Sequence, residues 1–224
     1  RGQLKSSFSC NWHPPPPPSR PRGSPPDAGA YFRQRMFLWA PMRMWGIPFL
    51  CPKCKVHMHQ GGIYPRVRKV VDIDSVYYLV GADYLKCQQC KQPVCPWSSQ
   101  MLQQLDYYHL SQFPCVLTSK LALDRKCVTL MKPRTQSNST SYVQQALQEA
   151  HSEEWAWKTI RYLSDCQLHR KGLELTAHQG VPVYKPPPAY TQVPLAQWFE
   201  AAHSIDILDH MEEMKGLVTS TYGR

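Results

Sequence analysis

Two pairs of cysteines with the spacing CxxC constrain this 224-residue sequence more than any other feature. The first pair is Cys51 and Cys54, and the second pair is Cys87 and Cys90. A CxxC turn directs two sulfurs at one point, and two such turns supply the four thiolates that a structural zinc ion prefers. Four protein ligands leave no open position for a substrate. The pattern therefore predicts Zn²⁺ as a cofactor in a closed, structural site.

Other residues near the two pairs are alternative ligands. Cys95 lies five residues beyond Cys90, and His57 and His59 follow the first pair closely. Any of the three can replace one cysteine, and Cys54 with either histidine can hold a second metal ion. The first pair can also act as a redox dithiol if its first cysteine begins a helix. These alternatives remain open at the level of sequence.

The basic charge of the chain is concentrated in the half that holds the cysteines. The formal net charge is +10. Residues 1–50 have seven Lys or Arg against one Asp, a net charge of +6, whereas residues 151–224 have a net charge of −2. Basic surfaces bind phosphates because counterions are released. Acidic protein partners or solubility alone would also account for this charge. The partner that we expect is nucleic acid, with DNA preferred. The predicted contacts are the cations beside the cysteine pairs: Lys53, Lys55, Arg66, Arg68 and Lys69.

Residues 31–50 combine aromatic side chains with arginines, and two interpretations are open. Aromatics interleaved with Arg can form a stacking face for single-stranded nucleic acid. Alternatively, Phe37, Trp39, Trp45 and Phe49 pack beside the metal site, because a small metal-binding module needs additional apolar burial. The second interpretation is the one that we favour from the sequence.

Cysteine usage and hydropathy indicate an intracellular protein. Nine cysteines, four of them in CxxC pairs, suit a reducing compartment better than a secreted disulfide framework. The most apolar stretch, residues 36–50, is interrupted by Pro, Arg and Gly and is too short to span a bilayer. We expect no membrane association and a nuclear or cytoplasmic location. The sequence has no phosphate-binding loop, nucleophile elbow or HExxH motif, so we expect neither catalysis nor a small-molecule substrate within these residues.

The order of composition and periodicity predicts an α+β fold. Residues 1–30 include five consecutive prolines and are predicted to be a disordered leader, which can also bind a protein partner. Between the cysteine pairs, two predicted strands over 67–73 and 76–80 suit the scaffold of a zinc-ribbon-like β module. That module is predicted to extend over residues 36–97, and a helical region follows over 98–169. The helices expected within this region cover residues 98–108, 118–131 and 142–163. A proline-rich linker over 181–194 and a C-terminal helix over 195–217 complete the chain.

Several blocks of the sequence, taken in order, resemble an uncharacterised CxxC…CxxC domain family. The blocks are Cys51–Cys54, Arg66–Ile73, Tyr77–Val80, Cys87–Cys90 and Phe113–Thr118. That family occurs in multicopy, transposon-associated proteins of fishes and fungi, and the resemblance covers about residues 36–165. It implies a zinc-ribbon-like domain in a transposon-derived protein.

The same resemblance implies that the chain is one part of a longer product. In longer fish proteins of this kind, a segment similar to Ser220–Arg224 leads into a strand that carries an Asp, where a transposase or nuclease domain of the ribonuclease H type would begin. Because the chain also begins with Arg1, we expect a fragment that stops before such a domain. The alternative is a zinc-stabilised module for protein–protein interaction, in which the basic charge is incidental.

Overall fold

The chain has a mixed α+β fold, as predicted. The structure is a computed structural model, and it describes residues 11–18, 24–132, 139–175 and 182–223. The strands are β1 (Trp12–His13), β2 (Met36–Trp39), β3 (Met58–Gln60), β4 (Val67–Val71), β5 (Val76–Gly81), β6 (Leu85–Cys87), β7 (Pro93–Val94), β8 (Cys115–Leu117) and β9 (Ala122–Asp124). The helices are α1 (Ala28–Tyr31), α2 (Pro41–Trp45), α3 (Ser99–Leu102), α4 (Tyr107–Ser111), α5 (Arg125–Met131), α6 (Thr140–Leu175) and α7 (Ala196–Tyr222).

Six strands form one mixed sheet in the order β1-β2-β5-β4-β9-β8. The hairpin of β4 and β5 lies at its centre, where β2 runs parallel to β5 and β9 runs parallel to β4. β-Branched and aromatic residues dominate this hairpin and suit a pleated, buried surface. Its turn is closed by Asp72, whose backbone N–H donates to the Ser75 carbonyl at 2.9 Å.

The predicted hairpin does form, but it does not carry the cysteines. The cysteine turns are held by a separate three-stranded sheet in the order β3-β6-β7. Neighbouring residues Val70 and Val71 on β4 are both buried, as are Leu79 and Val80 on β5, so the hairpin is covered on both faces. Strands of that kind occupy the centre of a sheet rather than the edge of a small module.

The two faces of the six-stranded sheet pack into two different cores. On one face, Val70, Tyr77 and Leu79 lie in a cluster with Cys51 and Cys87. The opposite face contributes to a second cluster, in which the sheet packs against the helices: Val71, Val116, Leu123, Cys127, Val128, Met131, Val143, Leu147, Phe199 and Ala202. Alternation along β4 therefore places the cysteine module on one side of the sheet and helices α5, α6 and α7 on the other.

The predicted helix over residues 118–131 is wrong in its first half. Residues Ala122–Asp124 are a strand that pairs with both β4 and β8, and only α5 is helical. Thr118 closes the turn between β8 and β9 rather than capping a helix, because both its amide and its hydroxyl donate to the Leu121 carbonyl. The pairing partners of β9 are distant in sequence, so local periodicity does not reveal them. The predicted helix over 98–108 is likewise divided into α3 and α4.

The predicted disordered leader is wrong at two places. Residues Trp12–His13 form β1, which pairs with β2. Asp27 caps the N-terminus of α1, because its side chain accepts a hydrogen bond from the Gly29 amide. The ring of Trp12 contacts those of Phe37 and Tyr77 at centroid distances of 4.9 and 4.8 Å, so aromatic burial orders this segment. Residues 1–10 and 19–23 lie outside the described residues.

The C-terminal part consists of two long helices and an extended strap between them. Helix α6 extends beyond the predicted range at both ends, and α7 begins one residue after the predicted start and ends five residues beyond the predicted end. Residues 182–194 have no regular secondary structure, in agreement with the predicted proline-rich linker, whose residue 181 is not described. Within the described ranges, no helix is long and apolar enough to cross a membrane.

Candidate metal centre

The four predicted cysteines converge on one point. The sulfur atoms of Cys51, Cys54, Cys87 and Cys90 all lie within 4.8 Å of one another. The Sγ atoms of Cys51 and Cys90, which come from different turns, are 3.7 Å apart. A tetrahedral zinc ion with Zn–S bonds of about 2.3 Å requires sulfurs about 3.8 Å apart. The arrangement therefore fits a tetrahedral metal site with four thiolate ligands.

The two cysteine turns share the same backbone pattern. In each turn the amide of the first cysteine donates to the carbonyl of the residue five positions later, from Cys51 to Val56 at 2.8 Å and from Cys87 to Gln92 at 3.3 Å. The second turn also carries a hydrogen bond of 3.5 Å from the Cys90 amide to Cys87 Sγ. Strands β3 and β6 bring the turns together, since Met58 pairs directly with Cys87.

Each turn ends on a lysine in the left-handed region of backbone space. Lys55 has a φ of 59° and Lys91 a φ of 55°, and these are the positive-φ residues other than glycine in the described part of the chain. A side chain in this conformation is disfavoured by about 1–2 kcal/mol. Both turns adopt it at the same position, immediately after the second cysteine, so the conformation belongs to the turn and not to the lysine.

The Lys91→Gly variant is expected to unfold at a higher temperature than the parent protein. Glycine removes the left-handed penalty of about 1–2 kcal/mol but adds about 0.5–1 kcal/mol of backbone entropy, which leaves a gain of about 0.5–1 kcal/mol. Thermal and urea unfolding of the zinc-loaded protein measure the change. Gln89→Gly in the same turn is the control, because its φ is not positive and it gains only the entropic penalty. Equal losses in both variants would contradict the prediction.

The four cysteines differ in burial and in hydrogen bonding. Cys51 and Cys87 are buried, whereas Cys54 and Cys90 are half-buried. Hydrogen bonding from the Cys54 backbone lowers the pKa of Cys51 to about 7, and burial raises the pKa of Cys54 to about 12. Thiolates this close repel one another, so the full set is ionised only when a cation offsets their charge.

The alternative ligands are not part of the cluster. The group of ligand atoms within 4.8 Å of one another does not include Cys95, His57 or His59. Cys95 lies beside Tyr64, where burial raises the pKa of its thiol, and both histidines are exposed. The first pair sits in a turn that continues into β3, not at the start of a helix, so the backbone feature that a redox dithiol requires is missing. The eight cysteines of the described residues are all free thiols.

Aromatic residues of the 31–50 segment pack into the same core as the clustered cysteines. Phe37, Trp39 and Phe49 are almost completely buried in the same cluster as Cys51 and Cys87, which confirms the packing interpretation. Gly81, the last residue of β5, also allows this close packing, and the sequence analysis did not identify it. A Cβ atom there would lie 2.5 Å from the Cγ atom of Pro96, because the strand passes directly under the segment after β7.

The five predicted phosphate contacts do not lie on one face. Lys53 and Lys55 are exposed on the first cysteine turn, and Arg66 is exposed directly before β4. The Arg68 guanidinium donates to the carbonyls of Thr118 and Ser119, at 3.3 and 2.9 Å, and so holds the turn between β8 and β9. Its neighbour Lys69 projects from the opposite face of β4 and is half-buried. The cations therefore fall into a group beside the metal centre and a separate one on the helical side.

Fold and site together define a mixed α+β protein with a cluster of four cysteines, compatible with a metal ion, on one face of its large sheet. The chain belongs to the family described as Domain of unknown function (DUF6729), whose model matches residues 1–208. No curated protein and no solved structure shows a significant match to the chain. The family match extends beyond residues 36–165 in both directions, so it takes in the segment with β1, the strap and the first half of α7.

Proposed function

We propose that this chain is a non-catalytic, structural-zinc module that binds nucleic acid within a transposon-derived protein. The observation that supports it most is the convergence of four cysteine sulfurs in two matching turns, with Lys53 and Lys55 exposed on the first turn. Cys51, Cys54, Cys87 and Cys90 would hold the zinc ion. Bound there, zinc supplies a crosslink and charge compensation, and no reaction is assigned to it.

In this proposal the module resembles a zinc ribbon with a long insertion. Two short strands, β3 and β6, carry the cysteine turns, while the segment between them adds the hairpin of β4 and β5 to a second sheet. The exposed cations Lys53, Lys55 and Arg66 are proposed to meet DNA phosphates. Arg68 is proposed to act by holding the turn between β8 and β9 instead. A catalytic domain of the ribonuclease H type in a longer parent protein belongs to the same proposal.

A protein-interaction module is the second candidate, and the surface of α7 favours it. Six large hydrophobic side chains of this helix are more than half exposed: Leu208, Met211, Met214, Leu217, Val218 and Tyr222. A partner protein could cover them, and the proline-rich segment at the start of the chain is another surface for a protein partner. Such a module would place zinc in the same structural role. Its affinity for a partner would depend little on salt.

The salt dependence of DNA binding separates the two functions. For a short DNA duplex, log K against log salt is expected to be steep, and each phosphate contact contributes about −0.9 to the slope. A variant with Lys53→Ser and Lys55→Ser together is expected to bind more weakly, with a slope shallower by about two. Fluorescence anisotropy at several salt concentrations measures both quantities.

The matched control carries Lys120→Ser and Lys171→Ser, which remove the same charge from exposed positions away from the cysteine turns. It is expected to retain the slope of the parent. If both double variants change binding equally, the contacts at the cysteine turn are wrong. If the parent binds no DNA at low salt, the nucleic-acid function is wrong and the interaction module takes its place.

A further inference from the structure

On the helical side of the large sheet, two adjoining cavities form one groove along α6. Their volumes are about 340 Å³ and about 500 Å³. They adjoin because four residues line both of them: Gln34, Ser75, Glu154 and Lys158. This groove lies on the face of β4 opposite the cysteine module, since Lys69 lines it while Val70 packs beside the cysteines.

The smaller cavity is lined by aromatic rings that belong to four different parts of the chain. They are Phe32, Tyr78, Trp155 and Tyr190. Their positions are fixed by the strap, because Trp155 Nε1 donates to the Pro188 carbonyl at 2.9 Å and the Tyr190 hydroxyl donates to the Gln148 carbonyl at 3.0 Å. The rings of Trp155 and Tyr190 meet edge to face, with centroids 6.1 Å apart. The aromatic walls are thus formed before any ligand binds.

A cation without a counterion stands beside these rings. Lys69 pairs directly with Tyr78 across β4 and β5, so the two side chains lie next to each other on the same face. Lys69 is half-buried, and its side-chain ammonium forms no hydrogen bond or ion pair with the described residues. The nearby His151 donates from Nε2 to the Asp72 carbonyl at 2.8 Å, and burial lowers the pKa of its ring. The positive charge of the smaller cavity is therefore left for an anion.

The larger cavity continues the positive charge along α6. Of its cations, Lys158 is paired with Glu154 at 3.2 Å and Arg35 is paired with Asp72, which lies outside the cavity. Arg33 and Arg161 also line it, and both are exposed and have no ion pair among the described residues. The wall opposite α6 is formed by the prolines of residues 15–18. The groove thus presents Lys69 in its smaller cavity and Arg33 and Arg161 in its larger one, where Asp74 also forms part of the lining.

We propose that this groove binds a single strand of nucleic acid, with one unpaired base stacked on the ring of Tyr78 in the smaller cavity. The phosphates on either side of that base meet Lys69, Arg33 and Arg161. Aromatic faces flanked by cations are the usual means of binding single strands, because every base has a face that can stack. A base in a duplex is already stacked and paired, and a cavity of about 340 Å³ admits it only after it leaves the helix. The proposal rests on the nucleic-acid function and adds to it a site for single strands on the face of the large sheet opposite the cysteine turns.

The test compares an oligothymidylate of about 12 nucleotides with a duplex of the same length. Tyr78→Ser is expected to weaken binding to the single strand about tenfold and to leave duplex binding unchanged. Lys69→Ser is expected to make the salt slope for the single strand shallower by about 0.7. The controls are Tyr107→Ser and Lys120→Ser, two exposed side chains that do not line the groove.

A second readout follows the base itself. An oligonucleotide that contains 2-aminopurine is expected to change its fluorescence when the parent protein binds, and the Tyr78→Ser variant is expected to reduce that change. Zinc content and thermal unfolding of each variant verify that it is folded. Because Tyr78 is partly exposed, its replacement leaves the core intact.

The outcomes distinguish the two proposals. If the parent binds single strand and duplex equally, and Tyr78→Ser binds both as the parent does, the groove is wrong while the nucleic-acid function stands. If the parent binds neither DNA, the nucleic-acid function itself is wrong. If a proline-rich peptide competes with the oligothymidylate and Tyr78→Ser abolishes only the peptide's binding, the groove is a peptide site and the proposal is overturned.

Discussion

The Cys51→Ser and Cys87→Ser variants are expected to lose the zinc ion and the folded state together. A structural zinc site with thiolate ligands contributes on the order of 10 kcal/mol, which is comparable to the whole stability of a domain of this kind. The coupling should be strong because both cysteines are buried in the same core as the large sheet. Native mass spectrometry gives the zinc content, and circular dichroism gives the fold.

Cys95→Ser is the matched control for the metal centre. This cysteine is close in sequence but outside the four-sulfur cluster, so its variant is expected to retain one zinc ion per chain. A loss of zinc in Cys95→Ser would show that the ligand set is wrong. A parent protein that is folded without any metal would contradict the zinc hypothesis altogether, and the convergence of the four sulfurs would then need another explanation.

The Trp39→Ala variant is expected to lose about 3–5 kcal/mol of unfolding free energy. Trp39 is completely buried, and its ring contacts that of Phe113 at a centroid distance of 5.0 Å. Its indole N–H also donates to the Pro96 carbonyl at 3.2 Å, so the substitution removes a hydrogen bond between the large sheet and the cysteine module. Urea unfolding of the zinc-saturated protein measures the loss.

Trp157→Ala provides the comparison, because this side chain is 57% exposed. Its variant is expected to change the unfolding free energy by no more than about 0.5 kcal/mol. A loss below about 1 kcal/mol in Trp39→Ala would mean that the cysteine module and the sheet do not share a core, contrary to the packing described above.

The metal centre was predictable because its signal is local. The spacing of two cysteines within four residues already fixes the direction of their sulfurs, and the four-cysteine convergence is confirmed by the structure. The hairpin of β4 and β5 was predictable for the same reason, since alternation and a turn at Asp74 lie within one short stretch. The sheet that the hairpin joins was not, because its other strands are distant in sequence.

The errors share one physical cause, which is pairing between distant segments. Trp12 was assigned to a disordered leader because proline follows it, yet its ring is held by residues of β2 and β5. Residues 122–124 looked helical because α5 follows directly, yet their backbone completes the sheet. The groove along α6 depends on the strap and on Lys69, whose sequence positions give no hint that they meet.

The interleaved order of strands in the large sheet determines how the protein tolerates truncation. The central strand β4 has its partner β9 beyond the cysteine module, so a product that ended at residue 97 would retain all four cysteines and lose β8 and β9. The backbone N–H and C=O groups on that side of β4 would then form an open edge, which invites pairing with other chains. A protein shortened in this way would therefore be prone to aggregation, although all four cysteines of the cluster were present.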